Sequence, residues 1–556
     1  MKLFLKKLLT AHLFLDILIG MLSGGLLFLC VYDARTLPIT SLDWIYQQGG
    51  DLFQHQIGWE FFRQESWHFP LGRIDTYGYP FGSNVSYTDS IPLFAYLFKL
   101  ILGQQGLAIQ YLGLWELTSL IMQCIFGMLI FNEFTSSVSI KVAGSMLLTL
   151  SPVLLYRAFE HNSLTAQWLL LAGIYLVIRS YKVKQWRGAW MLLFALAMLI
   201  HLYFVAMLVP LWLVSLLFRV RNKEKIKPLA LEAIVTAAST LLIGYAMGLF
   251  SLSIGNLLAE GFGQFSWNLN GFINPQKYSA FLPQLPVEEG QYEGFSYLGL
   301  GNLVLIAAGL VLFIWKERSR RVFLFVIILA AISLGYMFFA LSNRAYSGVN
   351  ILWDFPLPKK IEIMTAFFRA SGRFIWPVFY LVVLFGSTNV IRGIRKQYFA
   401  VIILLLSLGI QYVDLQPLIR ERKEVVNEEY LSPLCSPFWE EAAQTYQHLM
   451  LLPAAKAHAV YEPFAIYARQ NQLTLNWGYF ARANLGGIRD YGDQEWEALQ
   501  AGHAKDDTFY VLWRSEEADI AQRGLPGGLI VCQVDGYTVV LSAKDPSAWL
   551  RWCSTE

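Results

Sequence analysis

Long apolar runs separated by short polar segments dominate the first three quarters of the chain. A helix needs about 20 largely apolar residues to cross the hydrocarbon core of a bilayer. We predict eleven membrane-spanning helices, at residues 11–32, 107–131, 138–156, 163–179, 188–200, 202–219, 230–250, 298–315, 322–341, 374–391 and 397–412.

Two of these runs, 188–200 and 202–219, form one apolar stretch that is interrupted at His201. At 1.5 Å per residue, the first run reaches only about 20 Å, which is too short to cross the core alone. We therefore expect a short helix that ends near His201 and turns back. One overlong, tilted span is the alternative.

The distribution of basic residues predicts the orientation of these helices. If the N-terminus, with Lys2, Lys6 and Lys7, is cytoplasmic, every short basic loop falls on the cytoplasmic side, as the positive-inside rule requires. These loops contain Lys141 and the basic residues within 179–187, 219–227, 316–321 and 392–396. The loops on the other side are longer and more aromatic. Residues 413–556 are then expected outside the cytoplasm.

Composition supports a multi-pass membrane protein. Only 15% of the 556 residues are charged and 56% are hydrophobic, whereas soluble domains have about 25% charged residues. The balance of 43 basic and 40 acidic residues gives a net charge of +3, without the basic surplus of a nucleic-acid-binding domain. These values exclude a soluble enzyme, a disordered protein and a nucleic-acid binder.

Residues 413–556 have a different pattern, which predicts a small soluble α/β domain. A helix-like stretch covers about 437–450, and 508–513 alternates as a strand does. The segment 529–542 predicts a hairpin that turns at Asp535-Gly536. The five cysteines of the chain include Cys435, Cys532 and Cys553 in this domain, and the sequence leaves open whether two of these three form a disulfide.

The first outer loop, 33–106, is the most informative region, because loops of this length without a function are uncommon. Asp51 follows Gly49-Gly50 and precedes a helical pattern. It either caps that helix or acts as a catalytic acid. Asp89, before Ile91-Pro92, presents the same choice. His55 lies one turn after Asp51 on the same face, where a hydrogen bond is a better interpretation than a metal pair.

Several ionisable residues are predicted near the outer membrane boundary or within a span. Such residues are costly in a bilayer and often functional. Glu116 lies inside the second span, either as a hydrogen-bonded structural acid or as a cavity-lining residue. The others are Arg157, Glu160, His161 and His201.

Arg369 and Arg373 are four residues apart, which predicts one helical face at the outer end of the tenth span. The positive-inside rule disfavours arginines there, so they require an explanation. They either extend to the interface or bind an anion, and paired guanidinium groups suit a phosphate. Together with an outer-loop acid, this suggests an acceptor hydroxyl that is activated while a lipid phosphate leaves.

The membrane part resembles a bacterial branch of the GT-C superfamily of polytopic glycosyltransferases. The similar stretches are Gly49 to Arg63, Tyr77 to Pro92, Glu160 to Trp168 and Phe368 to Pro377. The resemblance implies a GT-C-like domain over 1–412, an accessory domain over 413–556, and a location in the bacterial inner membrane with the active site facing the periplasm. It also implies a polyprenyl-phosphate sugar as the donor.

The resemblance further implies inverting transfer with Asp51 as the catalytic base. Arg369 and Arg373, with His161, would stabilise the phosphate, while Trp59 and Tyr87 would stack on sugar or isoprenoid. We expect no metal requirement, since the chain lacks a convincing second acidic ligand set. The acceptor, a glycan, lipid or protein, stays open. The alternatives are a flippase or transporter of lipid-linked sugars and a surface-polysaccharide polymerase or ligase.

Overall fold

A computed structural model of the protein describes residues 2–104, 106–182, 186–252, 261–315, 320–426, 429–454, 457, 460–542 and 549–553. Two parts of the basic loops used for the orientation, Lys184 and the run 316–319, lie outside the described residues.

The described residues are mostly helical. In chain order the α-helices before residue 250 are α1 (Lys2–Val31), α2 (Asp43–Gln48), α3 (Gly50–Gln64), α4 (Pro92–Leu102), α5 (Leu112–Asn132), α6 (Val138–Thr149), α7 (Pro152–Leu155), α8 (Trp168–Lys182), α9 (Ala189–Ile200), α10 (Leu202–Arg221) and α11 (Ile226–Met247). After it come α12 (Leu300–Trp315), α13 (Arg320–Leu341), α14 (Lys359–Ala366), α15 (Trp376–Gly393), α16 (Gln397–Asp414), α17 (Gln416–Glu424), α18 (Phe438–Thr445), α19 (Tyr461–Gln470), α20 (Leu485–Gln500) and α21 (Ser515–Gln522).

Eight helical segments of the described chain are long and apolar enough to cross a membrane. They are His12–Val31, Leu112–Asn132, Asn162–Lys182, Leu202–Arg221, Ile226–Met247, Phe323–Leu341, Ser371–Gly393 and Gln397–Asp414. The other three predicted spans correspond to shorter apolar helices, α6, α9 and α12.

The predicted break at His201 is confirmed, and a single overlong span is wrong. His201 has an extended backbone, with φ −164° and ψ 133°, and it ends α9 and begins α10. Its Nδ1 accepts the backbone N–H of Tyr203 at 3.2 Å. The side chain therefore supplies an N-cap at the interruption of the apolar run.

The predicted helix over 138–156 is wrong in its second half. Helix α6 ends at Thr149, and a new turn, α7, begins at Pro152. The hydroxyl of Ser151 accepts the N–H of Leu154. Because proline removes a donor and restricts the residue before it, a Ser-Pro pair begins a helix more readily than it continues one.

The chain divides into two compact units that do not follow its order. The first unit contains residues 1–37, 112–243 and 258–426. In it, small residues allow close helix packing, as is common in membranes. A Cβ on Gly24 of α1 would lie 2.5 Å from the Cα of Ile121 in α5. A short antiparallel pair, β3 (Arg344–Ser347) and β4 (Asn350–Asp354), also belongs to this unit.

The second unit contains residues 38–111, 244–257 and 427–556. It joins most of the first outer loop to the C-terminal α/β segment. Its sheet has the order β6-β5-β7-β9-β8. The strands are β5 (His448–Leu452), β6 (Thr474–Leu475), β7 (Thr508–Leu512), β8 (Ile530–Val534) and β9 (Tyr537–Leu541), while β1 (Arg73–Ile74) and β2 (Ser83–Asn84) form a separate pair.

The C-terminal predictions are largely confirmed. β8 and β9 form the antiparallel hairpin, and Asp535 and Gly536 at its turn have φ of +48° and +81°. The helix predicted over 437–450 ends at Thr445, because the apolar residues that follow form the buried strand β5. Cys532 and Cys553 form a disulfide, and Cys435 is a free, exposed thiol.

The disulfide between Cys532 and Cys553 is expected to stabilise the C-terminal domain. Replacing Cys553 with Ser should lower the unfolding temperature of the full chain, since closing a loop of similar size stabilises a domain by about 3 kcal/mol. Cys435→Ser is the matched control and should leave the temperature unchanged. Non-reducing peptide mapping should recover Cys532 linked to Cys553, and a link to Cys435 would contradict the assignment.

Candidate functional site

Asp51 is the second residue of α3. The interpretation of Asp51 as the N-cap of this helix is therefore wrong. The N-cap position is Gly49, and the helix begins at Gly50. Both glycines have positive φ, +66° and +61°, which a residue with a Cβ rarely adopts. The double glycine thus places the partly exposed Asp51 carboxylate in the first turn, at the positive end of the helix dipole.

The carboxylate that binds the helix terminus is Glu462, which sequence reasoning missed. The backbone N–H of Gly50 donates to Oε1 of Glu462 at 3.1 Å. A Cβ on Gly49 would lie 2.9 Å from the same oxygen, so a side chain there would displace it. Burial raises the pKa of Glu462, and the bond from Gly50 opposes that shift. Two acids, Asp51 and Glu462, therefore belong to one helix terminus.

Buried aromatic residues surround these acids. Tyr461 precedes Glu462 and packs against Phe53 of α3, with ring centroids 5.7 Å apart. Burial raises the pKa of Tyr461 well above its ordinary value, and the nearby charges of Tyr77, Glu462, Tyr479 and Asp51 contribute in the same direction. Buried aromatic side chains with few water contacts therefore lie beside the first turn of α3.

A buried ion pair fixes α3 to α19. The Nε of Arg469 lies 2.7 Å from Oε2 of Glu60. The other oxygen of Glu60 accepts bonds from the Tyr46 hydroxyl at 2.6 Å and from the Gln56 amide at 2.7 Å. Burial raises the pKa of Glu60, and Arg469, Tyr46 and Gln56 oppose that shift. The contact joins the helix that bears Asp51 to α19.

The other predicted residues of the first outer loop lie on or near the buried side of α3. His55 is fully buried, and Trp59 is too, with its indole N–H donating to the carbonyl of Ile109 at 2.9 Å. The hydroxyl of Tyr87 donates to the carbonyl of Leu249 at 3.0 Å. Asp89 is partly exposed and has φ +52°. Trp59 has no exposed ring face, so its geometry favours a packing role.

The first unit contains a cluster of two arginines around one buried acid. Glu293 lies in a 3-10 turn at Gln291–Gly294. Its Oε2 accepts bonds from Arg157 Nη2 at 2.6 Å and Arg373 Nε at 2.9 Å, and its Oε1 accepts Arg373 Nη2 at 2.8 Å. Burial favours the neutral acid, but the two guanidinium groups outweigh it and hold the pKa of Glu293 well below its usual range. The charges of the cluster sum to +1.

The prediction that Arg369 and Arg373 share one helical face is wrong. Helix α14 ends at Ala366, and a 3-10 turn covers Ser371–Ile375. The two guanidinium groups accordingly contact different rings, Phe265 for Arg369 and Tyr203 for Arg373, at 5.4 and 4.8 Å. The spacing of four was misleading because the residues between them are not α-helical.

Two histidines adjoin the cluster. The rings of His161 and His201 lie 5.6 Å apart, and that of His201 lies 5.4 Å from Tyr203, the ring under Arg373. The hydroxyl of Ser163 lies 3.1 Å from Nδ1 of His161. The predicted residues Arg157, His161, His201 and Arg373 therefore do come together, whereas the acid that links the arginines, Glu293, was not predicted.

Two further predicted acids have structural partners. Glu116 is fully buried and accepts bonds from the Asn162 amide at 2.6 Å and the Thr165 hydroxyl at 3.3 Å. These contacts favour the hydrogen-bonded structural acid over a cavity-lining one. Glu160 pairs with the buried Arg422 at 2.7 Å.

Comparison with known proteins gives a family. The family described as "Domain of unknown function (DUF6311)" matches residues 21–416, and "DUF6311 C-terminal domain" matches residues 438–542. The chain belongs to the DUF6311 family. No curated protein matches it. Both the arginine cluster and Asp51 lie in the first matched region, and Glu462 lies in the second.

The arginine cluster predicts a pH-dependent effect of Glu293→Gln. Losing one partner of a buried ion pair should cost about 3–5 kcal/mol. Because the pKa of Glu293 is lowered in the folded state, its stabilisation is present above the unfolded pKa and is lost as the pH falls. The Tm of the wild type should therefore exceed that of the variant most clearly near neutral pH.

Thermal unfolding of the full chain in detergent, measured from pH 7 down to pH 3, checks this. Glu289→Gln, which changes an exposed acid of the same loop, is the matched control and should follow the wild type. A Glu293→Gln variant as stable as the wild type at pH 7 would contradict the assigned role.

Proposed function

We propose that this protein is an inverting membrane glycosyltransferase, which moves a sugar from a polyprenyl-phosphate donor to an acceptor hydroxyl. The observation that carries the proposal is the placement of Asp51: a partly exposed carboxylate on a helix terminus that Glu462 and the Glu60–Arg469 pair hold fixed. A general base needs such fixed geometry. The resemblance to the GT-C superfamily gives the reaction class.

In the proposed reaction, Asp51 accepts the proton of the acceptor hydroxyl as the hydroxyl oxygen attacks the anomeric carbon. A new carbon–oxygen bond forms while the bond from that carbon to the phosphate oxygen breaks. The phosphate leaves with the electron pair, and the anomeric configuration inverts. Because the leaving group is already a stable anion, no general acid is required, and the proposal includes no metal ion.

The arginine cluster supports a role in donor binding. Arg157 and Arg373 share one acid, so the cluster keeps a net positive charge, and guanidinium groups bind phosphate by charge-assisted hydrogen bonds. We assign phosphate stabilisation to Arg373 and Arg157, with His161 and Arg369 as further contributors. The proposed location is the bacterial inner membrane, with the acceptor, a glycan, lipid or protein, on the periplasmic side.

Asp51→Asn should abolish most turnover and leave donor binding intact. The amide keeps the size of the side chain but cannot accept a proton, and general-base catalysis is typically worth 10²- to 10⁴-fold. Turnover and binding are to be measured on the purified full chain with a panel of polyprenyl-phosphate sugars. Asp43→Asn is the matched control, because Asp43 is also an acid in the first turn of a helix, α2, and its side chain is exposed.

Transport assays separate the proposal from a lipid-linked sugar flippase. If the protein were a flippase, the Asp51→Asn variant would move the substrate across the vesicle membrane at nearly the wild-type rate. That result would overturn the proposal. Loss of turnover in both Asp51→Asn and Asp43→Asn would indicate a general loss of structure and would also count against Asp51 as the base.

Glu462 is expected to act as a positioning residue. Glu462→Gln retains an oxygen that can accept the Gly50 N–H, so turnover should stay within a few-fold of the wild type. Glu462→Ala removes the bond and should lower kcat at least tenfold, with little change in donor affinity. If Glu462→Gln were as inactive as Asp51→Asn, the charge of Glu462 would itself be required, and the positioning role would be wrong.

A further inference from the structure

The first unit contains a second feature that suggests a ligand: an apolar cavity of about 550 Å³ between α8, α13 and α15. This volume is within the range of about 300–1,000 Å³ for small-molecule pockets. The lining of α15 extends from Val378 to Arg392. At 1.5 Å per residue that is about 20 Å, or about two thirds of a bilayer's hydrocarbon core.

The cavity exists because α13 is held at its ends. Near its C-terminal end, the hydroxyl of Tyr336 donates to the carbonyl of Met207, and Phe339 packs on Phe374 with ring centroids 4.4 Å apart. Towards the other end, Phe325 packs on Tyr181 at 4.8 Å. Between these contacts, the small residues Ala330 and Ser333 face the cavity.

The lining indicates a hydrocarbon ligand. Apart from a few polar groups, it consists of aliphatic and aromatic side chains, such as Ile174, Leu329, Leu381 and Phe385. Each of the three helices belongs to a segment that is long and apolar enough to span a membrane: Asn162–Lys182 for α8, Phe323–Leu341 for α13 and Ser371–Gly393 for α15. A ligand at this position would therefore enter from the bilayer.

One end of the cavity is basic. Lys182 and Arg392 lie at that end, and each positive group is 5.0 Å from the centroid of the Phe134 ring. Lys182 and Arg179 both pair with Glu133. Among the described residues at this end, these three side chains are basic and Glu133 is the acid they adjoin, an arrangement that favours an anion. Basic pockets between membrane helices are typical binding sites for lipid phosphates.

We propose that this basic-ended cavity binds one hydrocarbon chain of an anionic phospholipid, whose phosphate contacts Lys182 and Arg392. Both residues lie in loops or helix ends that the positive-inside rule assigns to the cytoplasmic side. The site is therefore distinct from the proposed donor site at the opposite side, and it does not depend on the glycosyltransferase proposal.

The first test measures the phospholipid that the purified full chain retains, by mass spectrometry and phosphorus analysis. Ala330→Trp should fill the cavity and lower the retained lipid at least threefold. Ala331→Trp is the matched control, because the neighbouring residue is exposed and does not line the cavity; this variant should retain lipid as the wild type does. Equal retention by both variants would overturn the proposal.

The second test measures thermal stability after delipidation. Phosphatidylglycerol should raise the Tm in a concentration-dependent manner, phosphatidylcholine should raise it less, and inorganic phosphate should not change it. The double variant K182Q/R392Q should reduce the preference for phosphatidylglycerol at least threefold, whereas Arg395→Gln, which removes a charge at the same end outside the lining, should not. A response to inorganic phosphate or to polyprenyl phosphate alone would overturn the proposal.

Discussion

The cost of burying charge determines how the candidate site is built. An ionised side chain away from water is tolerated only when it is paired, and each unit contains a buried acid with a basic partner. In the second unit, Arg469 lies against the buried Glu60, and this contact joins α3 to α19. In the first unit, Glu293 requires Arg157 and Arg373. These pairs place the neighbouring residues, Asp51 and His161, without a covalent link.

The same constraint applies to the first turn of α3. A helix N-terminus carries N–H groups that need acceptors. Glu462 supplies one for Gly50, so that Asp51 is not needed as a cap. The carboxylate of Asp51 is partly exposed, and the double glycine allows the acid from α19 to approach the backbone.

Local patterns in the sequence predicted the helices, the break at His201 and the Asp535-Gly536 hairpin, because each depends on residues close together in the chain. The same reasoning failed where local structure departs from regularity, at Ser151-Pro152 and between Arg369 and Arg373. It could not find Glu462, which lies 412 residues from its partner Gly50. Glu462 lies in the first turn of α19, where an acid is common for helix stability alone, so its position in the sequence gave no separate signal.

The contacts of the second unit also bear on the role of the C-terminal segment. An accessory domain would contact the first outer loop through its surface alone, and its loss would leave the loop folded. Here Arg469 lies 2.7 Å from an acid that is fully buried in that loop, and Glu462 binds the helix that bears Asp51. The C-terminal segment is therefore part of the structure that positions Asp51, and changes in either part should affect both.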